Sequence, residues 1–119
     1  MVRALRGAIT VDNNDASDIL SATAELLNEI IRRNDINRDD IISIIFTVTR
    51  DLDAAFPAVA ARQMGLTDVA LMCTNEMHVK GSLEKCIRIL MHINTEKRNS
   101  DLKHVYLRGA KVLRPDIAD

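Results

Sequence analysis

Two arginines stand where arginine is costly. Arg88 sits in the middle of Cys-Ile-Arg-Ile-Leu-Met-His-Ile, residues 86–93, and Arg6 lies within Val-Arg-Ala-Leu-Arg-Gly-Ala-Ile, residues 2–9. In strands of alternating pattern, Ile87, Ile89, Met91 and Ile93 point one way and Cys86, Arg88, Leu90 and His92 the other. Arg6 shares its face with Val2, Ala4 and Ala8, and near the end of the chain His104, Tyr106 and Arg108 alternate with Val105 and Leu107. A guanidinium among apolar neighbours must be paired or must await an anion. Pairing with a carboxylate across the sheet or a subunit interface is one reading. In the other, the arginines and a tyrosine gather around a small dianion. Arginine suits that task because its planar fork binds carboxylates through two hydrogen bonds and does not titrate.

Other reactive side chains lack partners. Glu76, in Cys73-Thr74-Asn75-Glu76-Met77, is a solvated loop residue unless something recruits it as an acceptor. His78, His92 and His104 are not at metal-ligand spacing, so no metal is expected. Cys73 has no assignable histidine base and reads as a small buried apolar residue. Neither a Walker sequence nor a dinucleotide-binding GxGxxG occurs, and no cofactor is expected.

The elements that must hold these residues follow from periodicity. Residues 2–11 read as a strand broken by Asn13, Asn14 and Asp15. A long amphipathic helix is expected over 16–33, with Ile19, Leu26, Leu27, Ile30 and Ile31 on its apolar side, Asp15 as its cap, Asp18 in its first turn and Arg32 and Arg33 in its last. Residues 41–49 are the clearest strand, with Ile42, Ile44, Phe46 and Val48 on one face. A short helix starts near Pro57 and stops before Gly65. Strands follow at 68–73, about 85–93 and 103–108, with a polar loop from Thr95 to Asp101 and a tail after Arg114-Pro115. The order predicts a single α+β domain over residues 1–119, in which the long helix covers one face of the sheet and the other face is polar or meets a partner.

Composition bounds the function. A chain of 119 residues with 47% apolar and 28% charged residues and a formal net charge of -1 is globular, not disordered. It buries roughly two thirds of its unfolded surface, enough for one core but not for a deep private pocket, so a site between subunits is plausible on size alone. With no basic excess and only one Tyr, two Phe and no Trp, nucleic-acid binding has no basis. Two cysteines thirteen positions apart, Cys73 and Cys86, fit a reducing compartment better than a disulfide scaffold. No secretory leader or membrane span is recognised, and a cytoplasmic location is expected.

From end to end the chain resembles the small trimeric chorismate mutases of the AroH class. The stretches that carry the resemblance are Arg6-Gly7-Ala8-Ile9-Thr10-Val11; Asp51-Leu52 with Ala55-Phe56-Pro57-Ala58 and Arg62; Cys73-Thr74-Asn75-Glu76-Met77; Gly81 with Leu83; Lys85-Cys86-Ile87-Arg88; His104-Val105-Tyr106-Leu107; and Val112-Leu113-Arg114-Pro115-Asp116. The family commonly has lysine where this chain has Val59.

The resemblance implies a mixed five-stranded sheet packed on a long helix and a short helix. Three subunits would form a pseudo-α/β-barrel with sites at their interfaces, converting chorismate to prephenate. It also implies roles: Arg88 on the substrate's ether oxygen and a carboxylate, Arg6 and Tyr106 on the enolpyruvyl carboxylate, and Glu76 on the ring hydroxyl with Cys73 beside it. Phe56, Ala58, Arg62, Met72, Leu113 and Arg114 would line or cover the pocket. Two alternatives remain: a deaminase of RidA type, and a trimeric module that binds a metabolite without turnover.

Overall fold

The computed structural model describes residues 1–116. The periodic segment forms α1, Ala16–Arg33. Asp15 caps it, its carboxylate accepting the Asp18 backbone N–H at 2.7 Å. At the other end Arg32 and Arg33 reach back to Glu29 at 2.7 and 2.8 Å, placing positive charge against the negative end of the helix dipole. The buried stripe of α1 is Ile19, Ala22, Thr23, Leu26, Leu27 and Ile30.

Five strands form one mixed sheet: β1 (Val2–Thr10), β2 (Ile41–Val48), β3 (Ala70–Asn75), β4 (Cys86–Asn94) and β5 (Val105–Leu107), in the order β3-β2-β4-β1-β5. The central strand β4 runs antiparallel to β1 and β2, while β3 and β5 flank them as parallel edges. A parallel neighbour needs a crossover, and the link from β2 to β3 carries α2 (Ala58–Gln63). This helix starts at Pro57 and its exit turns at Gly65, whose φ of 90° suits glycine.

The core lies between α1 and one face of the sheet. Leu5, Ile9, Ile44, Phe46, Ile87, Met91 and Val105 are fully buried there with the α1 stripe. Each such side chain contributes about 1.5–3 kcal/mol relative to exposure. Gly7 permits the close approach: a Cβ there would stand 2.8 Å from Ile30 Cδ1 and 3.1 Å from the Val105 carbonyl oxygen. On the opposite face only a small cluster is buried, Ala8, Cys86, Tyr106 and Ala110, with Leu83 and Leu113 against it. Ile42, Phe56, Met72, Met77 and Val112 remain exposed.

The structure departs from the sequence pattern at four places. Ile41, not Ile42, enters the core (6% against 43% exposed). A bulge between Ile41 and Ser43 sets two β2 residues against one of β4, flipping the alternation. Strand β3 begins at Ala70 rather than 68 and runs on through Asn75, since its ladder with β2 opens at Ser43↔Ala70. Strand β5 is only three residues long. Before it, the Lys103 backbone is taken by the Asn34 side chain, and after it Arg108 adopts φ 54° and turns the chain into a 3-10 segment, Arg108–Leu113. Arg108 therefore leaves the Tyr106 face and pairs with Glu25 of α1 at 2.8 Å. The polar loop after β4 also holds a 3-10 turn, Asn99–Asp101. The tail expected after Arg114-Pro115 runs into residues 117–119, which lie outside the described residues. No helix among the described residues is long and apolar enough to cross a membrane.

Candidate active site

Register builds the site. Thr47 of β2, Arg88 of β4, Ala8 of β1 and Tyr106 of β5 are successive partners across the sheet and form one row on the face away from α1. Arg88 thus stands between a short hydroxyl side chain and a methyl group, which leaves its guanidinium room above the sheet. Glu76 directly follows β3, and its N–H bonds the Val48 carbonyl at 2.8 Å, extending the ladder by one residue. That bond sets the carboxylate over the row. Thr47 Oγ1 donates to Glu76 Oε2 at 2.6 Å and Arg88 Nη1 to Glu76 Oε1 at 3.4 Å. The carboxylate reading for Arg88 therefore holds within the subunit. Both side chains stay partly open, 38% for Arg88 and 29% for Glu76.

Arg6 lies two residues before Ala8 on the same face and is more exposed than its apolar neighbours led one to expect. Its Nη2 donates to the Tyr106 hydroxyl oxygen at 3.2 Å. Among the described residues no carboxylate pairs with it, so the face carries a guanidinium without an anion. Tyr106, only 4% exposed, is held by Ala8, Cys86 and Ala110. Arg6, Thr47, Glu76, Arg88 and Tyr106 line one cavity of about 310 Å³. A contiguous hollow of about 210 Å³ shares Glu76 and Arg88 and adds Leu113. Arg114 approaches Tyr106 and His104 and pairs with Asp116 at 2.9 Å.

The remaining expected residues lie elsewhere. Phe56 and Cys73 line a second cavity of about 550 Å³ beside Val48, Leu52 and Asn75 at the β3 edge. Cys73 is not beside Glu76. It pairs in register with Phe46 and packs on the α1-side core, one residue out of phase with Met72 and Thr74. Phe56 and Met72 are 70% and 63% exposed, Arg62 is exposed on α2, and Ala58 is buried in the core. Strands are about 4.8 Å apart. The β3 edge is thus roughly 14 Å from β1, three strand spacings.

Three participants were not singled out from sequence. Thr47 supplies the hydroxyl on Glu76; the polar break between Phe46 and Val48 was its signal. Cys86 packs against the row beside Arg88, and burial pushes its thiol up to about 11, which keeps it neutral next to the guanidinium. His104 Nδ1 accepts the Arg6 backbone N–H at 2.9 Å. Among the described residues no cluster of His, Cys, Asp and Glu could hold a metal ion.

What the arrangement can offer a small anion is two guanidinium groups, Arg6 with the Tyr106 hydroxyl at one end of the cavity and Arg88 further along it, with Glu76 as a hydrogen-bond acceptor. Known proteins share this architecture. The family model described as chorismate mutase type I matches residues 2–117. The chain is 47% identical over 118 residues to chorismate mutase AroH of Thermus thermophilus, covering 98% of this chain and 97% of that one. It is 40% identical over 119 residues to chorismate mutase AroH of Bacillus subtilis (strain 168), covering 99% and 94%. A solved chorismate mutase from Clostridium thermocellum superposes with a TM-score of 0.91 at 63% identity, over 92% of this chain and 98% of that one. A matching sheet order alone would leave the chemistry open, but identity at this level over nearly the whole length does not: the chain belongs to the chorismate mutase type I family.

Proposed function

We propose that this chorismate mutase works as a homotrimer, rearranging chorismate to prephenate in pockets that each take one wall from the Arg88 face of one subunit and the other from the Phe56 edge of its neighbour. The observation that supports this is the Thr47–Arg88–Ala8–Tyr106 row with Arg6 beside it, which meets no carboxylate among the described residues, facing a half-open cavity, while the second cavity lies at the far edge of the same subunit. Heterologous interfaces that close into a ring bring such unlike surfaces together, and the exposed Phe56 and Met72 would be covered there. Residues 1–119 act as one domain. Cys73 and Cys86, both free thiols, accord with a reducing cytoplasm.

The reaction is a [3,3]-sigmatropic rearrangement in which a carbon–oxygen bond breaks as a carbon–carbon bond forms. It requires no covalent intermediate and no proton transfer. Arg6 and Tyr106 hold the enolpyruvyl carboxylate, Glu76 accepts from the ring hydroxyl, and the neighbour's Phe56, Arg62 and Met72 with Leu113 and Arg114 close the pocket. Together they hold the substrate in its compact conformation. Arg88 places positive charge at the ether oxygen, where negative charge grows as the bond opens. If the enzyme lowers the barrier by roughly 8 kcal/mol, one preorganised donor supplies about 3–4 kcal/mol of it and conformational restriction the remainder.

Loss of chorismate absorbance with prephenate confirmed as product establishes turnover. The shared pocket is tested by complementation. Arg88→Ala and Arg62→Glu variants, each inactive, are unfolded together and refolded as mixed trimers. A ring in which every pocket needs one wall from each of two subunits restores about one quarter of wild-type activity at equal mixing. A mixture no more active than its parents means that each subunit carries its own complete site.

A further inference from the structure

We propose that His104 is a positioning residue for substrate binding: its Nδ1 lone pair holds the backbone of Arg6, and so sets where the Arg6 guanidinium meets a carboxylate. This rests on Arg6 being a substrate-binding residue.

The β1–β5 ladder begins at Gly7↔Val105. Arg6 lies one residue outside it, and its N–H points toward β5 where no strand carbonyl receives it. The His104 ring fills that place at 2.9 Å. Because the donor is a backbone N–H, Nδ1 must be the accepting nitrogen and the proton of the neutral ring sits on Nε2.

Three further observations show that the ring is held for this task. Residue 103 is clamped by the buried Asn34, whose Oδ1 accepts the Lys103 N–H at 2.7 Å and whose Nδ2 donates to the Lys103 carbonyl at 2.9 Å. The same Nδ2 is anchored to the Ile30 carbonyl at 2.9 Å, so the end of α1 fixes the backbone from which His104 projects. Burial first, then the charges of Arg6 and Arg114, hold the imidazole below the usual histidine range, which keeps the Nδ1 lone pair free. The β4 ladder holds Arg6 from the other edge of β1, at Arg6↔Leu90, and among the described residues the Arg6 side chain is tied through Nη2 to Tyr106. Its placement therefore depends on where its backbone is held.

Asparagine at 104 places an amide oxygen near the position of Nδ1, and alanine removes the acceptor. Losing one hydrogen bond of this kind corresponds to roughly a fivefold change in binding, or about 1 kcal/mol. His104→Ala is expected to raise KM for chorismate about fivefold with kcat little changed, and His104→Asn to restore it. In an Arg6→Ala background the His104→Ala substitution should add nothing, since the group it positions is gone. A nitrogen–nitrogen coupling across the hydrogen bond between the Arg6 amide and His104 Nδ1, read by NMR on the labelled wild-type protein, supports the contact independently of activity. If Arg6→Ala leaves KM unchanged, the binding role of Arg6 fails. If Arg6→Ala raises KM but His104→Ala does not, or Asn fails to rescue, the positioning role of His104 is overturned.

Discussion

Replacing Arg88 by alanine should damage activity far more than folding, and the structure sets both magnitudes. The ion pair with Glu76 is 3.4 Å long and its side chains are 38% and 29% exposed. Such a pair is screened by solvent and is worth at most about 1 kcal/mol. Glu76 does not become a buried orphan when Arg88 is cut away, because the Thr47 hydroxyl still donates to it at 2.6 Å. The penalty of roughly 3–5 kcal/mol for breaking a fully buried pair therefore does not apply. For a domain of this size the midpoint of thermal unfolding should fall by no more than about 5 °C. Activity is another matter. A donor aimed at the atom where charge develops is worth about a hundredfold to a thousandfold in rate, and that contact strengthens in the transition state, so kcat should fall with kcat/KM, while loss of the contact to a substrate carboxylate adds a rise in KM. Lysine at 88 keeps the charge but loses the fork, and should recover only part of the loss. The assay is chorismate consumption by absorbance, alongside a circular-dichroism melt and sedimentation to confirm the assembly. If a folded Arg88→Ala assembly stays within about threefold of wild-type kcat/KM, the electrostatic account of this site is wrong.

Three other outcomes test the fold, the titration behaviour and the chemical step. Gly7→Ala forces a methyl against Ile30, Leu26 and the Val105 carbonyl oxygen, so urea unfolding should show a loss of about 1–3 kcal/mol; an unchanged midpoint would mean that α1 is not seated closely on β1. Because the folded-state pKa of His104 is depressed, the unfolded chain binds the extra proton more readily. The stability linked to this ring is complete above its ordinary pKa of about 6.5 and is lost as pH falls through the lowered value. Denaturation midpoints measured against pH should therefore fall on the acid side more steeply for wild type than for His104→Asn. In contrast, kcat at saturating chorismate should stay nearly flat across neutral pH, since the step transfers no proton; a steep bell would contradict the mechanism.

Features governed by neighbours a few residues apart were legible in the chain itself. The spacing of Ile19, Leu26, Leu27 and Ile30 and the cap at Asp15 define α1 to its ends, because helix hydrogen bonds and apolar stripes span three or four residues. Pro57 and Gly65 bracket α2 for equally local reasons. The alternation through residues 86–94 puts Arg88 on the face opposite Ile87 and Ile89, as the period of two requires. Face within one strand is a local property, so Arg88 could be set apart from Ile87 and Ile89, and Tyr106 from Val105 and Leu107, before any pairing was known.

Partners are a different matter, since they depend on register between strands far apart in the chain. The row that sets Arg88 between Thr47 and Ala8 joins residues 41 and 80 positions apart, and the bulge at Ile42 shows how one inserted residue reverses a face that alternation alone had assigned. The left-handed turn at Arg108 sends its side chain to Glu25 instead of the site. The Asn34 clamp on Lys103 spans 69 positions and the His104 bond to Arg6 98. Nor does nearness in sequence ensure nearness in space: Cys73 and Glu76, three residues apart, face different cavities because strand geometry turns successive side chains to opposite faces. Within an unbroken strand or helix, chain spacing thus decides which side chains share a face, while bulges, turns and sheet register, which only the assembled core can select, decide which of them meet.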